Sequence, residues 1–115
     1  MNHLTAYVRT NMIEEVIHAL QKAGAPGITI VCGVHAVGYG YLPNEFTWRS
    51  GEMGTAPEAL KVEVVCREED CDRLLETLVD AAHTELKGDG LVFVSNVKRA
   101  VRIRTREEGP EALRG

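Results

Sequence analysis

The sequence is poor in aromatics, which make up 5% of it, and has no excess of positive charge. Its 13 Lys and Arg stand against 17 Asp and Glu, for a net charge of -4. A nucleic-acid module draws much of its affinity from Lys and Arg on phosphates, so no nucleic-acid partner is expected. No apolar run approaches the roughly 20 residues that span a bilayer. The polar start Met1-Asn2-His3 predicts no signal peptide, so no membrane insertion is expected either. Three cysteines, an odd number, fit a reducing compartment better than a disulfide framework and predict a cytoplasmic protein. At 115 residues the chain is too short for two independent cores, so one domain over 1–115 is expected.

What is present reads as two similar units. Residues 3–9 alternate as a strand, with Leu4, Ala6 and Val8 on one face and Thr5, Tyr7 and Arg9 on the other. A helix is predicted over 12–23, capped by Asn11 with Glu14 as its capping-box partner. Ile13, Val16, Ile17 and Leu20 form its apolar stripe, and Gly24-Ala25-Pro26-Gly27 ends it. A second strand over 28–35 alternates Ile28, Ile30, Cys32 and Val34 against Thr29, Val31 and Gly33. The second unit repeats the scheme with a strand over 60–66, a helix over 69–83 and a strand over 91–97. Leu74, Leu75, Leu78, Val79 and Ala82 form the stripe of that helix. The order βαββαβ predicts an α+β, ferredoxin-like plait: a four-stranded antiparallel sheet with both helices on one face.

The other face of that sheet carries Tyr7, Thr29, Val31, Glu63 and Val65, with Val92 and Val94 assigned beside them. This mixture is too apolar for free solvent and predicts self-association into a closed oligomer. Between the two units, residues 38–58 show no clear periodicity yet hold Tyr39, Tyr41, Phe46 and Trp48, most of the few aromatics. A loop of that length and content predicts a partner-binding surface.

Two patterns suit an anion. In Lys87-Gly88-Asp89-Gly90 the glycines let backbone N–H groups approach a charged ligand closely. In Arg102-Ile103-Arg104, residues two apart in an extended chain point the same way and can fork onto one phosphate. On spacing alone, each also fits a plain turn or a solvated arginine pair. Cys32, Cys66 and Cys71 lack a neighbouring His and acid that would mark an activated thiol, and no catalytic or metal-ligating residue is assigned.

With these segments in order, the chain resembles the PII signal-transduction family, the nitrogen regulatory proteins. The resemblance rests on Ile13-Glu14-Glu15-Val16, Gly24-Ala25-Pro26-Gly27-Ile28-Thr29 and Lys61-Val62-Glu63-Val64-Val65. It continues through Gly88-Asp89-Gly90-Leu91-Val92-Phe93-Val94 and Ala100-Val101-Arg102-Ile103-Arg104-Thr105. It implies a homotrimer that binds an adenine nucleotide (ADP, AMP or ATP) in each cleft between neighbours. Gly88, Asp89 and Gly90 match the phosphate-wrapping B-loop, about 84–91, and Arg102 and Arg104, in a C-terminal segment of about 98–115, match arginines reaching across from the adjacent subunit. Thr29, Glu63 and Val65 match positions around the adenine, and Gly38, also assigned to the nucleotide, opens the T-loop, about 38–58. That loop, with Tyr39, Tyr41, Phe46, Trp48 and Arg49, is implied to dock on a membrane transporter or a metabolic enzyme.

Departures from the family pattern set further expectations. Trp48-Arg49 stands where the family has a modifiable tyrosine before Arg-Gly, so uridylylation there is not expected. Gly38-Tyr39-Gly40 lacks the glutamine that helps hold magnesium and 2-oxoglutarate, and Ala59 replaces a lysine that pairs with that effector. Magnesium is therefore not assigned, and 2-oxoglutarate sensing is not carried over. Thr84-Glu85-Leu86 and Leu91 replace cationic positions near the outer phosphates, which predicts weaker ATP relative to ADP or AMP; Lys87 stands nearby as a compensating cation. The reading is a regulator rather than an enzyme, its leading variant an inorganic-carbon sensor binding ADP or AMP with bicarbonate. The rivals are a slow ATPase, with Glu63 orienting water, and a metal-binding trimer like the CutA proteins.

Overall fold

The computed structural model describes residues 1–39, 58–86 and 89–114. Its strands are β1 (Asn2–Val8), β2 (Thr29–His35), β3 (Glu58–Cys66) and β4 (Val92–Asn96), and its helices are α1 (Ile13–Lys22) and α2 (Glu68–Ala82). Short 3-10 turns cover Thr10–Met12 and Gly109–Leu113. The strands form one antiparallel sheet in the order β2-β3-β1-β4, the ferredoxin-like plait that the order of elements predicts. No helix among the described residues is long and apolar enough to cross a membrane.

The core lies between the helices and one face of the sheet. Leu4, Ala6 and Val8 of β1 and Val62, Val64 and Cys66 of β3 meet Val16 and Leu20 of α1 and Cys71, Leu74 and Leu78 of α2. Cys66 and Cys71 are therefore packing residues, and burial pushes the Cys66 thiol up to about 11, away from nucleophilic use. Val79 departs from expectation. The buried faces of Leu74, Leu78 and Ala82 follow one i, i+4 row, and Val79, one position beyond it, is 46% exposed at the rim.

Two further corrections concern register. Val92 and Val94 pair with Ala6 and Leu4, so they share the helix-covered side, and Phe93, opposite Thr5, is the residue that joins the open face. In β2, Val31 faces Lys61 but Val34 faces Ala59, so one extra residue bulges out at Gly33, whose φ is 76°. The extra residue reverses the alternation, and Val34 lies on the open face with Val31 instead of on the helix side with Ile30.

Helix ends follow local chemistry. The chain enters α1 through the 3-10 turn, with the Met12 N–H donating to the Arg9 carbonyl at 3.0 Å. Asn11 therefore lies inside that turn, and the cap position falls on Met12, which provides no side-chain cap bond. At the other end the Gly24 N–H donates to the Gln21 carbonyl and the Ala25 N–H to the Leu20 carbonyl, a Schellman closure with Gly24 at φ 86°. An added Cβ at Gly24 meets only the Arg73 guanidinium at 3.9 Å, so the cost of a side chain there is conformational. Gly24→Ala is expected to destabilise the protein by roughly 1–2 kcal/mol. Gly27→Ala, where φ is ordinary and nothing lies within 4 Å, is expected to be neutral or mildly stabilising; paired urea titrations distinguish the two.

Candidate ligand-binding site

The turn between α2 and β4 is shaped by one carboxylate. Asp89 accepts from the Thr84 backbone N–H at 2.7 Å and from the Thr84 hydroxyl, and the Arg9 Nε donates to it at 3.1 Å from the end of β1. The Thr84 hydroxyl in turn accepts from the Leu86 N–H at 3.2 Å. Partial burial pulls the Asp89 pKa upward. The bonds from Thr84 and Arg9 outweigh it and hold the carboxyl at about 2. The Asp89 side chain thus closes the loop on itself and ties it to the sheet. That leaves the loop's backbone amides, not this carboxylate, as the groups suited to an anion. Gly88 and Lys87 lie outside the described residues, and Gly90 has φ 102°, a left-handed value suited to glycine.

On the open face, Thr29 pairs with Glu63 across β2 and β3, and Thr5 pairs with the same Glu63 from β1. Glu63 lies 3.1 Å from the Lys61 ammonium and 3.5 Å from His3 Nε2, which is 3.2 Å from the Thr5 hydroxyl. The Glu63 carboxylate raises the pKa of Lys61. A cavity of about 220 Å³ opens here, lined by His3, Pro26, Gly27, Thr29, Glu63, Val65 and Leu113. The three positions singled out from sequence, Thr29, Glu63 and Val65, are therefore together. His3 and Leu113 are additions that sequence reasoning missed. His3 depends on which strands pair, and Leu113 arrives from the C-terminal 3-10 turn without any periodic signal.

Arg102 and Arg104 behave differently from the expected fork. After β4 the chain closes a hairpin. Val101 bridges Glu108, and the Arg106 N–H donates to the Arg102 carbonyl at 2.7 Å, so Ile103–Thr105 form its turn. The segment is not extended, and the two-residue spacing no longer aligns the guanidiniums. Arg102 donates to the Arg114 carbonyl, whereas Arg104 has no hydrogen bond or ion pair among the described residues. Neither arginine lines the Glu63 cavity, nor do Asp89 and Gly90. Ile103 between them is 96% exposed.

At the start of the central loop, Gly38 has φ 84° and Tyr39, which follows it, has φ 52°. A left-handed tyrosine costs roughly 1–2 kcal/mol. Tyr39 stacks edge-to-face on Phe93 with centroids 6.1 Å apart, and Tyr7 does the same at 6.5 Å. Tyr41, Phe46, Trp48 and Arg49 lie outside the described residues. Among the described residues, no group of three or more His, Cys, Asp or Glu side chains is arranged to hold a metal.

The Asp89 clamp carries a pH dependence with a definite sign. Its folded pKa is depressed, so its stabilisation is complete above the ordinary aspartate value near 4 and is lost as the pH falls toward 2. Asp89→Asn is expected to cost roughly 1–3 kcal/mol at pH 7. Its melting temperature should converge on that of the parent as the pH is lowered from 5 to 2, as followed by circular dichroism.

A family model described as Nitrogen regulatory protein P-II matches residues 1–107. Nitrogen regulatory protein P-II 2 of Methanothermobacter thermautotrophicus is 35% identical over 116 aligned positions, covering 98% of this chain and 97% of that protein. Nitrogen regulatory protein P-II of Rhizobium meliloti is 36% identical over 116 positions, covering 98% and 100%. The crystal structure of Arabidopsis thaliana PII bound to citrate superposes with a TM-score of 0.81 at 26% identity, covering 99% of this chain and 90% of that one. The chain belongs to the nitrogen regulatory protein P-II family, whose members are regulators in signal transduction and not enzymes.

Proposed function

We propose that this protein is a trimeric, nucleotide-responsive regulator, with an adenine nucleotide bound in each cleft between neighbouring subunits. The observation that supports the reading is the turn closed by Asp89, whose carboxylate is taken up by Thr84 and Arg9 and which leaves the backbone amides of Asp89 and Gly90 for phosphates. The Glu63 cavity, with Thr29 and Val65, supplies a half-polar pocket of a size suited to a base. Within one chain these two parts line different cavities, which is the arrangement expected of a site completed by a second copy. Arg104, exposed and without an ionic partner among the described residues, is the cation that reaches the neighbour's phosphates; Arg102, tied to the Arg114 carbonyl, supports the hairpin that presents it.

Nucleotide occupancy selects among states of the T-loop, residues 38–58, and so gains or releases a partner, a membrane transporter or a metabolic enzyme. Leu91 and Ala59 provide no cation for outer phosphates or for a dicarboxylate. ADP or AMP, with bicarbonate as the second ligand, is therefore favoured over ATP with magnesium and 2-oxoglutarate. That chemistry suits an inorganic-carbon sensor as well as a nitrogen regulator.

Calorimetric titration with ATP, ADP and AMP, each with and without bicarbonate or 2-oxoglutarate, tests the reading. The expected result is saturable ADP or AMP binding, indifferent to 2-oxoglutarate and weakened roughly ten- to a hundredfold by Arg104→Ala at unchanged melting temperature. Unchanged affinity in Arg104→Ala would place the phosphate contacts elsewhere, and a 2-oxoglutarate requirement would restore nitrogen sensing.

A further inference from the structure

On the helix side of the sheet the core leaves a cavity of about 360 Å³ at its edge. It is walled by Leu75, Val79 and Ala82 of α2 and by Leu91 and Val92 at the start of β4, with Asp89 bordering it. Val79 is 46% exposed and Leu91 38%, so large apolar side chains within one chain stand open to water here. Nothing in the periodicity of α2 requires this, since the helix already buries Leu74, Leu78 and Ala82.

The hairpin after β4 carries the converse feature. Ile103 lies in its turn between Arg102 and Arg104 and is 96% exposed. Exposed turns favour Gly, Asn, Asp, Ser and Pro for their backbone chemistry, and a β-branched apolar residue gains nothing there in water. A single exposed apolar side chain is ordinary in itself. This one, however, adjoins the cation that reaches a neighbouring subunit. Consecutive Cα atoms are about 3.8 Å apart, so an Arg104 directed at a neighbour's Asp89 loop holds Ile103 against the same loop, and Asp89 borders the cavity.

The charges of the two places are complementary. Glu76 and Asp80 flank Val79 on the surface of α2, and neither has an ion pair among the described residues. Glu85, just past the helix, has His83 as its ionic neighbour, at 3.9 Å. On the hairpin, Arg104 and Arg106 have no ion pair among the described residues. An apolar knob with cations beside it therefore matches an apolar socket with acids beside it.

We propose that Ile103 of each subunit fills the Leu75–Val79–Leu91 cavity of its neighbour, with the cationic hairpin set against that neighbour's Glu76, Asp80 and Glu85. The inference rests on the trimeric reading above. It assigns that reading a contact surface: the joint that holds two copies together also sets where Arg104 stands over the phosphate loop.

Disulfide trapping in the full-length protein tests the contact, with the exposed Cys32 replaced by serine. Ile103→Cys combined with Val79→Cys is oxidised with diamide and run without reductant, beside each single variant and beside Ile103→Cys combined with Glu15→Cys on α1. Covalent bands of two and three subunits are expected from the first pair alone. In sedimentation the parent is expected to be a trimer, and Ile103→Ser to raise its subunit dissociation constant at least about tenfold at an unchanged far-UV circular dichroism spectrum. Val79→Ser should do the same from the socket side. A parent trimer without a link between positions 79 and 103, or an Ile103→Ser trimer as tight as the parent, overturns the proposal and leaves the nucleotide reading standing. A parent that is monomeric at every concentration removes both. Linkage in a trimer that binds no ADP sustains the contact and removes the nucleotide reading.

Discussion

Everything in this molecule follows from the parity of β1. This strand is central, hydrogen-bonded to β3 on one side and β4 on the other, and its Leu4, Ala6 and Val8 are almost wholly withdrawn from water. A shift of one residue would expose all three to solvent, and burying them contributes roughly 1.5–3 kcal/mol for each of the larger two side chains. The register is therefore not negotiable. Because it is fixed, His3, Thr5 and Tyr7 must face the other way, and their partners Val65, Glu63 and Lys61 must face with them. The open face is the unavoidable complement of the core, and its chemistry was free to become a site.

That face divides along the strands. Toward β2 and the chain termini it is polar, with Thr29, Glu63, Lys61 and His3 in mutual contact or register. Toward β4 and the base of the central loop it is aromatic. The Asp89 loop stands at the end of β1 where the aromatic half begins, joined to it by Arg9. Rigid secondary structure thus holds two unlike chemical environments a few residues apart.

The plait, the core faces of β1, β3 and α2, and the stop at Gly24 were legible in the sequence, because each depends on near-neighbour pattern and burial. What escaped were features that need a pairing to be known. The bulge at Gly33 reverses which side Val34 takes, although a glycine inside a strand is itself a bulge signal. Val92 and Val94 were misassigned because alternation fixes that residues differ in face but not which set faces the helices. The Asp89 loop was legible as a glycine turn, but its clamp to Thr84 and Arg9 spans up to 80 positions of chain and leaves no local trace. At Arg102 and Arg104, hairpin closure by Val101 and Glu108 overrides the extended geometry that the two-residue spacing suggests.

The bulge has one more effect, on what the sheet's border offers to other chains. β2 is an edge strand, with an outer row of backbone donors and acceptors that would serve as a template for a foreign strand. The extra residue at Gly33 breaks that row after Val31, leaving only Thr29–Val31 in regular register before the irregularity. At the opposite border β4 has just five residues. A segment seeking to extend the sheet from either side finds too short an aligned run to hold. The glycine that reverses the alternation of β2 therefore also protects the protein from strand-by-strand aggregation.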